Sequence, residues 1–177
     1  MRARRLLPIT IALFSLAAAC TGSRALAGQD ERAVRREIEA EIANTLDIAK
    51  RRDYQAFAAR MPADFTVHML NGTVVGRDSV LSRARLRWER GIDTGGLEIA
   101  LDSLRVDGAR ATVYTTQRFT RLAPGTDGVQ RRVTTGVVHR ETWERRGGRW
   151  IAVRQEELAQ APTLVDGQPY RPDSSPR

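Results

Sequence analysis

Apolar residues recur with two different periods along the chain, and the change from one to the other divides it. From Asp30 the period is helical: Val34, Ile38, Ile42 and Leu46 recur every fourth residue, and Ala49 extends the stripe. Glu31, Arg35, Glu39 and Lys50 lie on the opposite face, with Glu31 and Arg35 spaced as a favourable i,i+4 pair. Asp53 is placed to cap a second, short helix through Tyr54, Phe57 and Met61, which Pro62 stops. Phe65, Val67 and Met69 then alternate as one face of a strand, and Asn71-Gly72 signals a hairpin. Gly76, with Asp78 as an N-cap, opens a third helix whose buried stripe is Leu81, Ala84 and Trp88.

After Gly95-Gly96 the period becomes two and stays there. Strands are expected over Leu97 to Val106, Ala109 to Arg121, Arg131 to Arg145 and Trp150 to Glu156. The turns between them are Asp107-Gly108, the Pro124–Gly128 loop and Gly147-Gly148. Helices first and an antiparallel meander afterwards make an α+β domain, expected over residues 30–158. From Ala159 onward, Pro162, Pro169, Pro172 and Pro176 among Asp, Ser and Gly offer no core pattern, so 159–177 is expected to be a disordered tail.

The first 27 residues follow neither period. Arg2, Arg4 and Arg5 precede an apolar run from Leu6 to Ala19, the layout of an export signal and too short for a permanent bilayer span. Two cleavage points fit. One lies before Cys20, after Ala17-Ala18-Ala19, as in a lipoprotein signal whose cysteine is lipidated, although Ala17 stands where leucine is usual. The other lies before Gly28, after Ala25-Leu26-Ala27. Either expectation places the domain outside the cytoplasm, in the cell envelope or secreted, with membrane attachment only through a lipid on Cys20. Cys20 is the chain's one cysteine, so no intramolecular disulfide can form.

This segment also changes the reading of charge. The formal +8 suggests a polyanion binder, but residues 1–27 hold four arginines and no acid, leaving +4 spread among both signs. Of the 29 basic residues only Lys50 is a lysine. Arg83, Arg87 and Arg90 share a helical face that reads as solvated, and no nucleic-acid partner is expected. Two distant histidines without clustered partners do not make a metal site, and no phosphate loop or nucleophile elbow is present, so no cofactor is expected.

The local text carries a resemblance. Arg52-Asp53 between the first helices, Asp64-Phe65, Asn71-Gly72 with Gly76-Arg77, and Arg140-Glu141-Thr142-Trp143 followed by Gly147-Gly148-Arg149-Trp150 resemble small bacterial members of the nuclear transport factor 2-like superfamily, SnoaL-like domains among them. The resemblance spans about residues 31–158. It implies a cone: a strongly curved antiparallel sheet wraps the N-terminal helices and leaves a pocket at its open end. The superfamily holds isomerases, dehydratases, cyclases, dimerising modules and binding domains, so the fold does not choose among functions. In the isomerase branch a helix-one tyrosine and a strand aspartate do the chemistry. Their positions fall here on Thr45 and Met69, a poor acid and a group that accepts no proton.

Within such a cone the parity of the strands names pocket candidates. Ala111, Val113, Thr115, Gln117 and Phe119 form one core face, which makes Gln117 a candidate hydrogen-bonding group. His139 and Glu141 share parity with Val133, Val137 and Trp143, whereas the competing registry turns Val138, Arg140 and Thr142 inward. His68 is out of phase with its strand's apolar face and is expected to point away. The candidate pocket is therefore Met69, Trp88, Gln117, His139, Glu141 and Trp143, with His139 and Glu141 the weak candidates for acid–base catalysis. The leading expectation is a binding domain for a small apolar or amphipathic ligand. An isomerase, dehydratase or cyclase is the alternative, and an interaction or homodimerisation module a further one.

Overall fold

The computed structural model describes residues 20–90, 96–125 and 127–170, with the side chains of 20–30 not described. Residues 1–19, most of the expected export signal, and the last seven residues lie outside the described residues. The order is α1 (Cys20–Lys50), α2 (Tyr54–Arg60), β1 (Thr66–His68), β2 (Val74–Gly76), α3 (Arg77–Glu89), β3 (Leu97–Asp107), β4 (Arg110–Pro124), β5 (Gln130–Arg146), β6 (Arg149–Val165) and β7 (Gln168–Pro169). These strands form one curved, unclosed sheet in the order β2-β1-β6-β5-β4-β3, with β7 against β6. All neighbours are antiparallel except β1, which runs parallel to β6.

The α1 stripe explains how the sheet is covered. Val34, Ile38 and Ile42 are buried with Ala111 and Val113 of β4, Trp143 of β5 and Trp150 of β6. Ile38 and Val113 are wholly enclosed, and burying each contributes roughly 1.5–3 kcal/mol. A second cluster, Phe65, Val67 and Val75 with Met61, Met69 and Val80, closes the other side of the cone.

The residues that carried the family resemblance turn out to be joints. Arg52 sits at φ 57° and Asp53 caps α2, its Oδ1 accepting from the Ala56 amide at 3.0 Å. Arg77 donates to the Met61 and Ala58 carbonyls at 2.9 and 3.1 Å, satisfying the open end of α2. Arg146 donates twice to Asp64, at 2.8 and 2.6 Å, and ties β5 to the entry of β1. Gly147 and Gly148 both have positive φ, as a two-residue type I′ hairpin demands.

Beyond shifts of one to three residues at other element ends, three boundaries depart from expectation in ways that matter. α1 begins at Cys20 rather than Asp30, since the good helix formers Arg24-Ala25-Leu26-Ala27 continue the spiral. The cap of α3 is Gly76, and Asp78 lies inside its first turn, where its charge still suits the helix dipole. The largest correction concerns the segment from Ala159, expected as a disordered tail. β6 continues to Val165 and an Asp166-Gly167 turn returns β7 along it. Tertiary pairing decides this: residues 159–165 hydrogen-bond to the long arm of β5, and Pro162 falls at a register irregularity.

That irregularity is one of three along β5 and β6, and at each β6 carries one residue more than β5. Bulges of this kind bend and twist a sheet, and they curl β4, β5 and β6 around the helices.

Candidate functional site

The curl leaves a cavity of about 810 Å³ between the concave face of the sheet, α1, α2 and α3. Its walls are mostly apolar. Ile42 and Leu46 of α1, Phe57 of α2, Trp88 of α3, and Ile99 and Val137 of the sheet all face it. The Phe57 and Trp88 rings meet edge to face at 5.5 Å and brace α2 against α3.

Met69, Trp88, Gln117, His139, Glu141 and Trp143 all line this cavity. Of the two β5 registries, the one with His139, Glu141 and Trp143 inward is observed: they are 5%, 5% and 6% exposed, while Arg140 between them is exposed. His68 is not among the lining residues. Thr45 and Met69, the residues onto which the resemblance places the isomerase acid and base, also line the cavity, with a hydroxyl and a thioether. The Thr45 hydroxyl is also committed, donating to the Glu41 carbonyl at 2.9 Å.

Glu141 is the centre of the polar floor. Its Oε1 accepts from the Thr115 hydroxyl at 2.8 Å and the Gln155 amide at 3.2 Å, and its Oε2 from the Trp143 indole at 2.8 Å. Gln117 adds a further side-chain hydrogen bond. Two effects oppose each other. Burial pushes the Glu141 carboxyl above its usual range, and the donors pull it back without overcoming the burial. All four donors are neutral, so the acid is solvated by dipoles rather than neutralised by a cation.

His139 stands beside it on β5, opposite Thr115 on β4 and Glu157 on β6. Burial lowers the imidazole's pKa and the Glu157 charge raises it less, so the ring is neutral at neutral pH. Its Nδ1 is buried and without a hydrogen-bond partner, as is the Trp150 Nε1. Among the described residues His139 and Glu141 share no hydrogen bond; the donors that reach Glu141 are Thr115, Trp143, Gln155 and Gln117.

Gln155 and Glu157 of β6 escaped the sequence reading. Trp150, Ile151 and Ala161 of β6 also line the cavity, and from Ala152 the polar lining positions are Gln155, Glu157, Gln160 and Thr163, with a step of three instead of two at each bulge. Simple alternation from Trp150 would instead have turned Arg154 and Glu156 inward. Both are outside, where Glu156 pairs with Arg140 at 2.7 Å. At the other end Glu41 is paired with Arg60 and Arg149. No cluster of three or more His, Cys, Asp or Glu side chains among the described residues is placed to hold a metal ion.

No family model and no curated protein matches the sequence. Solved structures do match. A conserved protein from Planctomyces limnophilus aligns with TM-score 0.56 at 13% identity, over 76% of this chain and 98% of its own. A nuclear transport factor 2-like protein of unknown function from Shewanella oneidensis gives 0.52 at 14%, over 70% and 97%. A protein of that kind with a cystatin-like fold from Novosphingobium aromaticivorans gives 0.52 at 19%, over 81% and 90%.

Proposed function

The chain has the nuclear transport factor 2-like fold, and on that premise we propose that it is a small-molecule binding domain that acts outside the cytoplasm. The observation that carries the binding reading is the cavity of about 810 Å³. Sites for small molecules run from roughly 300 to 1,000 Å³, mostly apolar with a few convergent polar groups. Here the walls are aliphatic and aromatic, and the polar groups converge on Glu141 and His139. The ligand class is an apolar or amphipathic molecule, and the unpartnered Nδ1 of the neutral His139 ring can meet a polar atom where the molecule carries one inside. The export reading rests on residues 1–27, and Cys20 is the proposed point of lipidation, with cleavage before Gly28 as the alternative.

A second reading, acid–base catalysis, is favoured by one observation. Glu141 and His139 line the same cavity with pKa values pushed in opposite directions by burial, one a carboxyl made harder to ionise and one an imidazole kept neutral. Binding ranks first because the donors around Glu141 already occupy both of its oxygens.

The test is organic extraction of the purified protein followed by mass spectrometry. A copurifying small molecule is expected, and Ala84→Phe, which fills space beside Trp88, should expel it without shifting the thermal midpoint by more than a few degrees. A folded Ala84→Phe protein that carries as much of the molecule as the parent would show that the cavity is not its site.

A further inference from the structure

The α3 face that carries Arg83 and Arg87 reads from sequence as solvated, yet both residues are exposed and both line the cavity. Side chains that meet solvent and the cavity together stand on its rim. They are one helical turn apart, and each is followed directly by a residue that lines the interior from the same helix, Ala84 and Trp88. Among the described residues neither guanidinium has a hydrogen-bond or ion-pair partner. Arg87 lies over the Phe119 ring at 5.3 Å, which holds its charge across the gap between α3 and β4. This distinguishes the pair from Arg85 on the same helix, which stacks on Tyr54 at 4.0 Å and does not line the cavity.

The interior carries the other half of the pattern. Glu41 is already paired with Arg60 and Arg149. Glu141 is held by neutral donors, and Glu157 accepts from the Leu70 amide at 3.0 Å. Among the described residues the cavity-lining guanidiniums of Arg60 and Arg149 are thus committed to Glu41. Those without a hydrogen-bond or ion-pair partner are the exposed Arg83, Arg87 and Arg118, and Glu157 repels an anion from the interior. The unpaired positive charge sits at the rim, over apolar walls.

We propose that Arg83 and Arg87 bind the carboxylate of an amphipathic anion whose apolar body fills the cavity, head outward and tail inward. This rests on the binding reading above and specifies its ligand class. Arginine suits the task because its planar fork matches a carboxylate with two parallel hydrogen bonds. The exposed setting keeps the gain moderate.

The experiment measures binding of three probes with the same tail, decanoate, decanol and decylammonium, by calorimetry below their micelle concentrations. The purified protein is compared with the Arg83→Gln/Arg87→Gln double variant and with Arg85→Gln as a control. Decanoate should bind about tenfold more tightly than decanol, as charge-assisted hydrogen bonds at a wet rim allow. That advantage should shrink on raising salt from 50 to 500 mM and vanish in the double variant, while decanol affinity stays unchanged and Arg85→Gln behaves as the parent. Decanol binding as well as decanoate to the parent overturns the head-group assignment and leaves the pocket reading standing. So does an advantage that survives in the double variant. Failure of all three probes to bind removes the binding reading and this inference with it.

Discussion

Glu141 and Glu144 are three residues apart on one strand, and their surroundings push them in opposite directions. Glu141 faces the cavity, and burial raises its pKa despite its hydrogen-bond donors. Glu144 faces out, and hydrogen bonds from Arg110 and Arg146 lower its pKa. Their settings follow the same division. Among the described residues His139, Glu141 and Trp143 on the concave face of β5 make no hydrogen bond or ion pair with an arginine, whereas the convex face joins Arg110, Glu144, Arg146 and Asp64 into one chain of ion pairs. Exposed pairs of that kind are ordinary surface chemistry, each contributing little in water. A buried acid with only dipoles around it opposes stability, and such groups concentrate where a pocket must recognise something.

The contrast is broken most directly by truncation. Glu141→Ala leaves the Thr115 hydroxyl, the Trp143 indole and the Gln155 amide without their acceptor inside the core. Leaving a buried donor unsatisfied costs roughly 1–3 kcal/mol, and relief of the buried acid offsets part of the total. A net loss of about 2–4 kcal/mol is expected in urea denaturation. Glu144→Ala should leave the urea midpoint close to the parent's. Equal effects from the two variants would mean that the concave floor is not the water-poor site described above.

A subtler comparison uses pH. In the folded state Glu141 keeps its proton over a range in which the unfolded chain has lost it, so its contribution to stability declines as pH rises. That decline runs from the ordinary carboxylate range, near 4.3, upward through its raised folded pKa. Glu144 has the opposite sign: its contribution is present above about 4.3 and lost as pH falls through its lowered folded value. Urea midpoints measured from pH 3 to 9 should show Glu141→Gln losing the decline on the alkaline side. Glu144→Gln should lose part of the fall on the acid side. His139 is present in all three proteins, so its own slope, a loss of stability as pH falls through its ordinary range, cancels from the differences. A Glu141→Gln profile parallel to the parent's would place an ionised carboxylate in the floor.

How much of this could be read from sequence follows the same division between faces. On β4 the residues read from sequence as the core face are found inward, Ala111, Val113 and Thr115 buried and Gln117 and Phe119 lining the cavity, although Thr116 is buried as well and Arg118 reaches the cavity edge. On β5 parity alone left two registries open, because Val137 and Val138 are both apolar and nothing local separates them. Packing of Trp143 against α1 decides between them. On β6 no periodic rule could have placed Gln155 and Glu157, since the bulges that shift their phase answer to pairing with β5 rather than to β6 residues. The strand beyond Ala159 was hidden for the same reason: its prolines and polar residues read as coil until a long partner is alongside. Arg83 and Arg87 show the converse case. Their helical face was legible, but only the curl of the sheet reveals that it looks onto a cavity.

The smallest effect expected lies on the convex face, at the Arg146–Asp64 pair. Its two hydrogen bonds, at 2.8 and 2.6 Å, join the end of β5 to the entry of β1 and lower the Asp64 pKa. Both side chains are solvated, so their attraction is screened by salt. Arg146 also donates to Glu144, so removing Asp64 leaves the guanidinium with a partner. Asp64→Asn should therefore lower the thermal midpoint only slightly at 20 mM salt, and the difference should close by 500 mM. A double-mutant cycle with Arg146→Gln isolates the pair. A coupling that persists at high salt would mean that the convex face, too, excludes water where β5 meets β1, and the division between the two faces of the sheet would have to be redrawn there.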